Sequence, residues 1–366
     1  MRLLVCLFLS HLLLTLSQAC AADVPQHNQL KIGIIVPLSG NLSAYGTATR
    51  NGFQLAVSES APHTYDQIEV IYEDSRYDGT ATVSAFKDLT ENKRVDLIYV
   101  WGNAPSEVVA PLAQRASIPV FAVSTDPQVN AGRPWVISYQ ASMADFGGRL
   151  AIYLNAQGYS SIATIKTSLA YYLSMAEATE RNLASSVKVR VDEEVSPTDH
   201  DFRSLVARMR NSKPAAIGVF LMPGQISEFL KQAQQGGLSA RVFGTEDLAT
   251  RAEIDKVAVL LEGAVFPGNH VSDKFRESYV SRYNDDSHIA HAAYSYEFAK
   301  YLPWLLRELE GKSVSNETIR SGLSSMKTVD GVLGHVERRK GHHGEVTFSF
   351  PVVMRTIVQG RATDLK

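Results

Sequence analysis

The sequence predicts an α/β protein made of two doubly wound lobes, and three observations carry that expectation. Short β-branched runs alternate with longer amphipathic stretches, and the runs are nearly continuous in apolar residues, as in Lys31–Pro37 (KIGIIVP). Strands of that kind belong to parallel sheets covered by helices on both faces. The alternation then stops and restarts midway, which fits two lobes better than one closed (β/α)₈ barrel. Finally, 366 residues at 45% hydrophobic content are enough for more than one core.

In the first set, Lys31–Pro37 reads as a strand and Thr47–Ser58 as the helix after it. Ile68–Asp74 follows as a strand, Thr80–Glu91 as a helix and Asp96–Val100 as a strand. Ser106–Arg115 and Ile118–Val123 complete the set as helix and strand. The second set runs through a helix at Phe146–Ala156, a strand at Ser161–Lys166 and a helix at Ala176–Ser185. A strand at Val187–Glu193, a helix at Phe202–Arg210 and a strand at Ala216–Leu221 come next. A helix at Ile226–Gln235 and a strand at Arg241–Thr245 end it. Beyond it lie a long aromatic-rich helix, Ala290–Leu309, another at Glu317–Met326, and a polar hairpin around Lys340–Gly344.

Residues 1–22 have the layout of an export signal. Arg2 supplies the positive start, Leu3–Leu16 the apolar stretch, and Ala19 to Ala22 the small residues at a cleavage site. The stretch is too short to cross a bilayer, which takes about 20 apolar residues. Lipid attachment at Cys20 is disfavoured, because Ser17 and Gln18 stand where a lipoprotein signal has other residues. The only cysteines are Cys6 and Cys20. The exported body therefore has no thiol for a disulfide, a nucleophile or a metal.

Charge excludes further classes. Lysine and arginine number 36 against 38 acidic residues, with no basic run. Nucleic-acid binding, which rests on many cations at phosphates, is not expected. No GxSxG elbow, GxGxxG loop or complete phosphate loop occurs, only a GKS fragment at Gly311–Ser313. His288 with His291, and His342 with His343, lack the spacing of a metal site and read as solvated surface. No cofactor is expected, and an exported enzyme is the most distant alternative.

The segment Ile32–Val57 (IGIIVPLSGNLSAYGTATRNGFQLAV) resembles the start of the branched-chain amino-acid binding proteins of bacterial ABC importers. So do APLAQRASIPVF (Ala110–Phe121), DFRSLVARMR (Asp201–Arg210), FLKQAQQGGLSARVFGTED (Phe229–Asp247) and the final FSF…VQGRATDLK segment. The resemblance implies a type 1 periplasmic binding protein, with two Rossmann-like lobes joined by a three-crossover hinge. It places crossovers near Tyr139–Ala144, Phe266–His270 and Glu345–Pro351. The first lobe would take residues 23–140 and 269–346, the second 141–268 and 347–366. It also implies a monomer in the periplasm that binds an amino acid or similar small polar molecule and delivers it to an inner-membrane permease. A ligand-sensing module for a sensor kinase or chemoreceptor is the alternative, since fold alone does not fix the role.

Open α/β sheets bind ligands beyond the carboxyl ends of their strands. In WGNAPSE, Pro105 suits a first helical residue, and the free N–H groups behind Asn103 would seat a carboxylate. The resemblance puts Asn103 where the family has a ligand-binding serine; an ordinary turn residue is the plainer alternative. In VSTDP, the hydroxyls of Ser124 and Thr125 could hold a carboxylate and an ammonium and fall on the family's small-residue and threonine pair, in a loop one residue short; a plain Ser/Thr turn is the alternative. Tyr45 falls where the family sets an aromatic ring against the ligand, or it packs in a core or hinge. Tyr171, or its neighbour Tyr172, matches the cleft tyrosine of the second lobe. Met222 stands where another tyrosine is common, and Glu246 matches the carboxylate that holds the ligand's ammonium.

Overall fold

A computed structural model describes residues 29–327, 329–341 and 343–365. The export signal at residues 1–22 lies outside them, as does His342.

The first set of elements is β1 (Leu30–Val36), α1 (Ser43–Ser58), β2 (Ile68–Asp74), α2 (Gly79–Lys87), β3 (Leu97–Trp101), α3 (Asn103–Ala116), β4 (Val120–Val123) and β5 (Val136–Ser138). The second is α4 (Met143–Ala156), β6 (Ser161–Thr167), α5 (Ala170–Arg181), β7 (Lys188–Val195), α6 (Arg203–Ser212), β8 (Ala216–Phe220), α7 (Gln225–Gln235), β9 (Arg241–Gly244), α8 (Arg251–Leu261) and β10 (Val265–Asn269). The chain closes with α9 (Asp273–Tyr283), α10 (Ile289–Leu309), α11 (Asn316–Ser324), β11 (Val329–Gly331), β12 (Gly334–Lys340), β13 (Val346–Ser349), β14 (Val352–Val358) and β15 (Arg361–Asp364).

Two sheets result. One has strand order β11-β12-β13-β5-β4-β3-β1-β2, the other β15-β14-β10-β9-β8-β6-β7. Within each, the strands from β1 to β5 and from β6 to β10 pair in parallel; at one edge the first sheet adds β13 in parallel with β5 and then antiparallel β12 and β11, and the second adds antiparallel β14 and β15. This is the two-lobed, doubly wound architecture expected of the chain. It crosses between sheets three times: after β5, after β10, and between β13 and β14. Helix α10 ties these passages together. Tyr294 donates to Asn269 at 2.6 Å and sits edge-on to Phe350 with centroids 5.2 Å apart, and Glu297 accepts from Tyr139 at 2.6 Å.

Several boundaries differ from expectation, each for a local reason. Helix α5 covers Ala170–Arg181 and not Ala176–Ser185, because its buried stripe is Tyr172, Met175, Ala176 and Thr179. Helix α2 stops at Lys87, and a wide turn over Asp88–Asn92 keeps Leu89 fully buried under Gly33. Helix α3 begins at Asn103, so Pro105 is its third residue and not its first. The missing N–H is still harmless there, since first-turn donors lack helical partners. The crossover expected near Phe266–His270 leaves from the end of strand β10, which runs to Asn269. Close packing of α1 on α10 depends on Gly52, where a Cβ would come within 1.9 Å of the Ala292 carbonyl oxygen.

Candidate functional site

Three loops at the carboxyl ends of first-lobe strands reach the gap between the lobes. After β3 the chain turns at Gly102, with φ +98°, and a Cβ there would lie 2.4 Å from a ring carbon of Tyr77. The position requires glycine on both counts. Asn103 then folds its side chain onto the loop after β4. Its carbonyl oxygen accepts from the Thr125 N–H at 2.9 Å, the Ser124 hydroxyl at 3.0 Å and the Thr125 hydroxyl at 3.1 Å. Ser124 and Thr125 are buried. The three expected ligand contacts are thus brought together, but as a bracket whose polar groups satisfy one another. Tyr77 covers the start of α3: burial raises its hydroxyl's pKa, against hydrogen bonds from the Ala104 and Asn103 N–H groups.

On the other lobe, β9 ends at Gly244, and the Thr245 side chain accepts from the Asp247 N–H at 3.4 Å. This cap starts a tight turn over Glu246–Ala249 and fixes two adjacent carboxylates at the strand end. Tyr172, in the first turn of α5, donates to Asp247 at 2.9 Å. Tyr171 sits edge-on to Tyr172, with centroids 5.0 Å apart, and lies within electrostatic reach of Glu246, Asp247 and Tyr77. Met222 gives its backbone N–H to Thr167 at 3.3 Å and packs on the cluster that also takes Tyr45, Tyr77 and Tyr171.

The two sides meet through side chains. Tyr45 donates to Asp247 at 3.0 Å, and His291 Nε2 lies 3.4 Å from Glu246. Trp101 donates its indole N–H to His291 Nδ1 at 2.9 Å. An indole nitrogen only donates, so Nδ1 carries the lone pair and Nε2 the proton that faces Glu246. Tyr45 stacks on Trp101 at 4.8 Å and lies 4.0 Å from the His288 ring.

These contacts set the electrostatics. For Asp247, burial and the neighbouring Glu246 charge push the carboxyl up to about 6, against hydrogen bonds from Tyr172 and Tyr45. For Glu246, burial acts upward too, but His291, 3.4 Å away, together with His288 and Arg355 outweighs it and holds the carboxyl low. Burial and the nearby His291 push His288 down to about 4.

His288 and His291 therefore correct the expectation of solvated surface. His291 is 5% exposed and His288 is partly buried, both at the start of α10 facing the cleft. His343 is exposed, as expected. Sequence reasoning also missed Asp247, Tyr77 and Trp101. A usable signal existed for His291, which shares a helical face with Tyr294 and Phe298. Between the lobes lies a cavity of about 660 Å³ whose walls include Tyr45, Glu246, Asp247, His288 and His291. Asn103, Ser124, Thr125, Tyr171 and Met222 do not line it. Among the described residues no cluster of three or more His, Cys, Asp or Glu is placed to hold a metal, and no helix is long and apolar enough to cross a membrane.

A two-lobed α/β body with opposed polar side chains and a cavity in the gap is the architecture of a solute-binding protein. The profile of the periplasmic binding protein family matches residues 29–354, and the chain belongs to that family. A leucine-, isoleucine-, valine-, threonine- and alanine-binding protein of Pseudomonas aeruginosa is 22% identical over 249 residues, 66% of this chain and 65% of the relative. The Leu/Ile/Val-binding protein BraC3 of Rhizobium johnstonii is 25% identical over 238 residues, 62% of this chain and 61% of the relative. In both cases the match spans less than two thirds of the relative's length. The resemblance to branched-chain amino-acid binding proteins is thereby borne out.

Solved structures share the fold. The leucine binding protein LivK of Thermotoga maritima superposes with a TM-score of 0.78 at 21% identity, covering 92% of this chain and 98% of that one. LivJ of Streptococcus pneumoniae, in complex with isoleucine, gives 0.79 at 20%, covering 92% and 99%. A solute binding protein of an ABC transporter from Rhodopseudomonas palustris BisB5, in complex with 3,4-dihydroxybenzoic acid, gives 0.79 at 19%, covering 92% and 96%.

Proposed function

We propose that this protein is the periplasmic solute-binding component of an ABC importer, and that its ligand is a small molecule with a protonated nitrogen, as in an amino acid. The observation that carries this is the pair Glu246–Asp247. Two adjacent carboxylates at the cleft are met by the hydroxyls of Tyr45, Tyr172 and Thr245 on Asp247 and by the His291 imidazole 3.4 Å from Glu246. Negative charge that is buried at Asp247 and half-buried at Glu246 favours a cation, which would satisfy it more fully than the hydroxyls do. The same charge disfavours an aromatic acid such as the one held by the Rhodopseudomonas protein.

Binding would be non-covalent. A ligand drives closure only if it binds the closed form better than the open one. A cation touching Glu246 or Asp247 from one lobe and Tyr45 or His288 from the other does so, because only closure assembles both sides. The closed pair of lobes would then be what an inner-membrane permease distinguishes. By the family resemblance the protein would act as a monomer. Thermal shift against amino acids and simple amines tests the reading. A cognate ligand raises Tm, because it binds the native state alone. The substitution Glu246→Ala should weaken that ligand ~10-fold or more; affinity that stays unchanged removes Glu246 from the site.

A further inference from the structure

We propose that the cleft takes an extended zwitterion, with its protonated nitrogen against Glu246 and Asp247 and its anionic end against Arg276 and Arg355. The inference rests on the function proposed above and narrows the class of ligand.

Three observations lead to it. The seat that the resemblance assigns to an α-carboxylate is taken by the protein's own groups: the Tyr77 ring packs on Gly102 at the start of α3, and Asn103, Ser124 and Thr125 bond to one another. The cavity of about 660 Å³ runs from Tyr45, Glu246 and Asp247 to Arg276 on α9 and Arg355 on β14. That size is within the ~300–1,000 Å³ of small-molecule sites.

The opposite wall carries two arginines whose guanidinium groups are only partly partnered. Among the described residues the Arg276 guanidinium makes no hydrogen bond, although its side chain is only 26% exposed; Asp286, its nearest carboxylate, is 3.8 Å away. Arg355 is 12% exposed. It gives Nε to Asp364 at 3.1 Å and one Nη to the Ala362 carbonyl at 3.3 Å, leaving the other Nη unpartnered. Burial, and then the charge of Arg355, lower the pKa of Arg276, so the two cations act on each other across this wall. Arg251 and Asp255, which also line the cavity, pair with each other at 2.9 Å and compete little for a ligand. A carboxylate between Arg276 and Arg355 would accept from both forks and relieve their repulsion.

The test uses isothermal titration with 6-aminohexanoate, n-hexylamine and L-leucine. In the wild-type protein 6-aminohexanoate should bind ~10-fold or more tighter than n-hexylamine, a gap expected for a charge-assisted contact. Arg276→Ala should erase that gap while leaving n-hexylamine within about 2-fold, which also reports a folded site. Glu246→Gln should weaken both. Equal binding of 6-aminohexanoate and n-hexylamine, or 6-aminohexanoate affinity unaffected by Arg276→Ala, overturns the inference. L-leucine binding that Glu246→Gln abolishes, with 6-aminohexanoate not bound, overturns it and leaves the proposed function standing. Failure of every probe, or binding indifferent to Glu246→Gln, overturns both.

Discussion

Tyr45 and Asp247, 202 residues apart in the chain, meet across the gap between the lobes, the phenol donating to the carboxylate at 3.0 Å. The contact joins the first turn of α1 to the turn after β9. It also commits to lobe closure one of the two carboxylates proposed to meet the ligand. Closure and binding therefore share a group, and ligand and phenol should act on the same equilibrium.

Tyr45→Phe removes the donor and keeps the ring stacked on Trp101. A hydrogen bond to a charged group is worth about 1.5–3 kcal/mol, so the unliganded lobes should open more often. Small-angle scattering should give a larger radius of gyration for the variant without ligand, and the two proteins should converge once ligand is added. Identical radii in the unliganded proteins would show that this contact does not hold the lobes.

Asp247 should also leave a pH signature. Its carboxyl ionises near about 6 in the fold against 3.8 for the free group. Between those values the native state holds a proton that the unfolded chain has released, so stability from this group falls as pH rises. His288, lowered from 6.5 to about 4, acts the opposite way: the unfolded chain takes up a proton first, and stability is lost as pH falls. Melts of wild type and Asp247→Asn separate the two. The Tm of the variant relative to wild type should be higher at pH 7 than at pH 4. Wild-type affinity for a cation should fall as pH drops through about 6, and the variant should lose that dependence.

Tyr77 sits in the left-handed region at φ 55°, with its ring over Gly102. Tyr77→Gly relieves that backbone strain and uncovers the first N–H groups of α3. L-leucine should then bind more tightly, while n-hexylamine, which has no carboxylate, should not gain. Equal gains for both probes would mean that the ring controls access and not the anion seat.

Asn103→Ala strands the Ser124 hydroxyl and the Thr125 N–H, both buried groups that now bond to the Asn103 carbonyl. The expected cost is about 1–3 kcal/mol of stability, read as a lower Tm, with affinity for n-hexylamine preserved. A large loss of n-hexylamine affinity at unchanged Tm would make Asn103 a ligand contact after all.

The strands were legible because they are buried on both faces: KIGIIVP at β1 and LIYVW at β3 cannot be mistaken for solvent-facing segments. Helix α9 was not, since DKFRESYVSRY buries only Phe275 and Tyr279 and its other residues resemble a loop. Within the site, Glu246 was accessible through resemblance, whereas Asp247 beside it looked like turn chemistry. His291 reads as surface because a histidine pair has no fixed meaning in sequence; its burial comes from Trp101 at the end of β3 and Tyr45 in the first turn of α1, both far away in the chain. Tyr77 had no signal at all. Its role depends on two consecutive left-handed residues, Arg76 and Tyr77, that no composition rule anticipates.

The most direct measurement is a thermal-shift comparison of small amines, zwitterions and aromatic acids on the wild-type protein and Glu246→Gln. Compounds with a protonated nitrogen should raise the wild-type Tm, and that rise should largely vanish in the variant. A rise with benzoate or another nitrogen-free acid, equal in both proteins, would contradict the claim that the carboxylates of Glu246 and Asp247 receive a cation between the lobes.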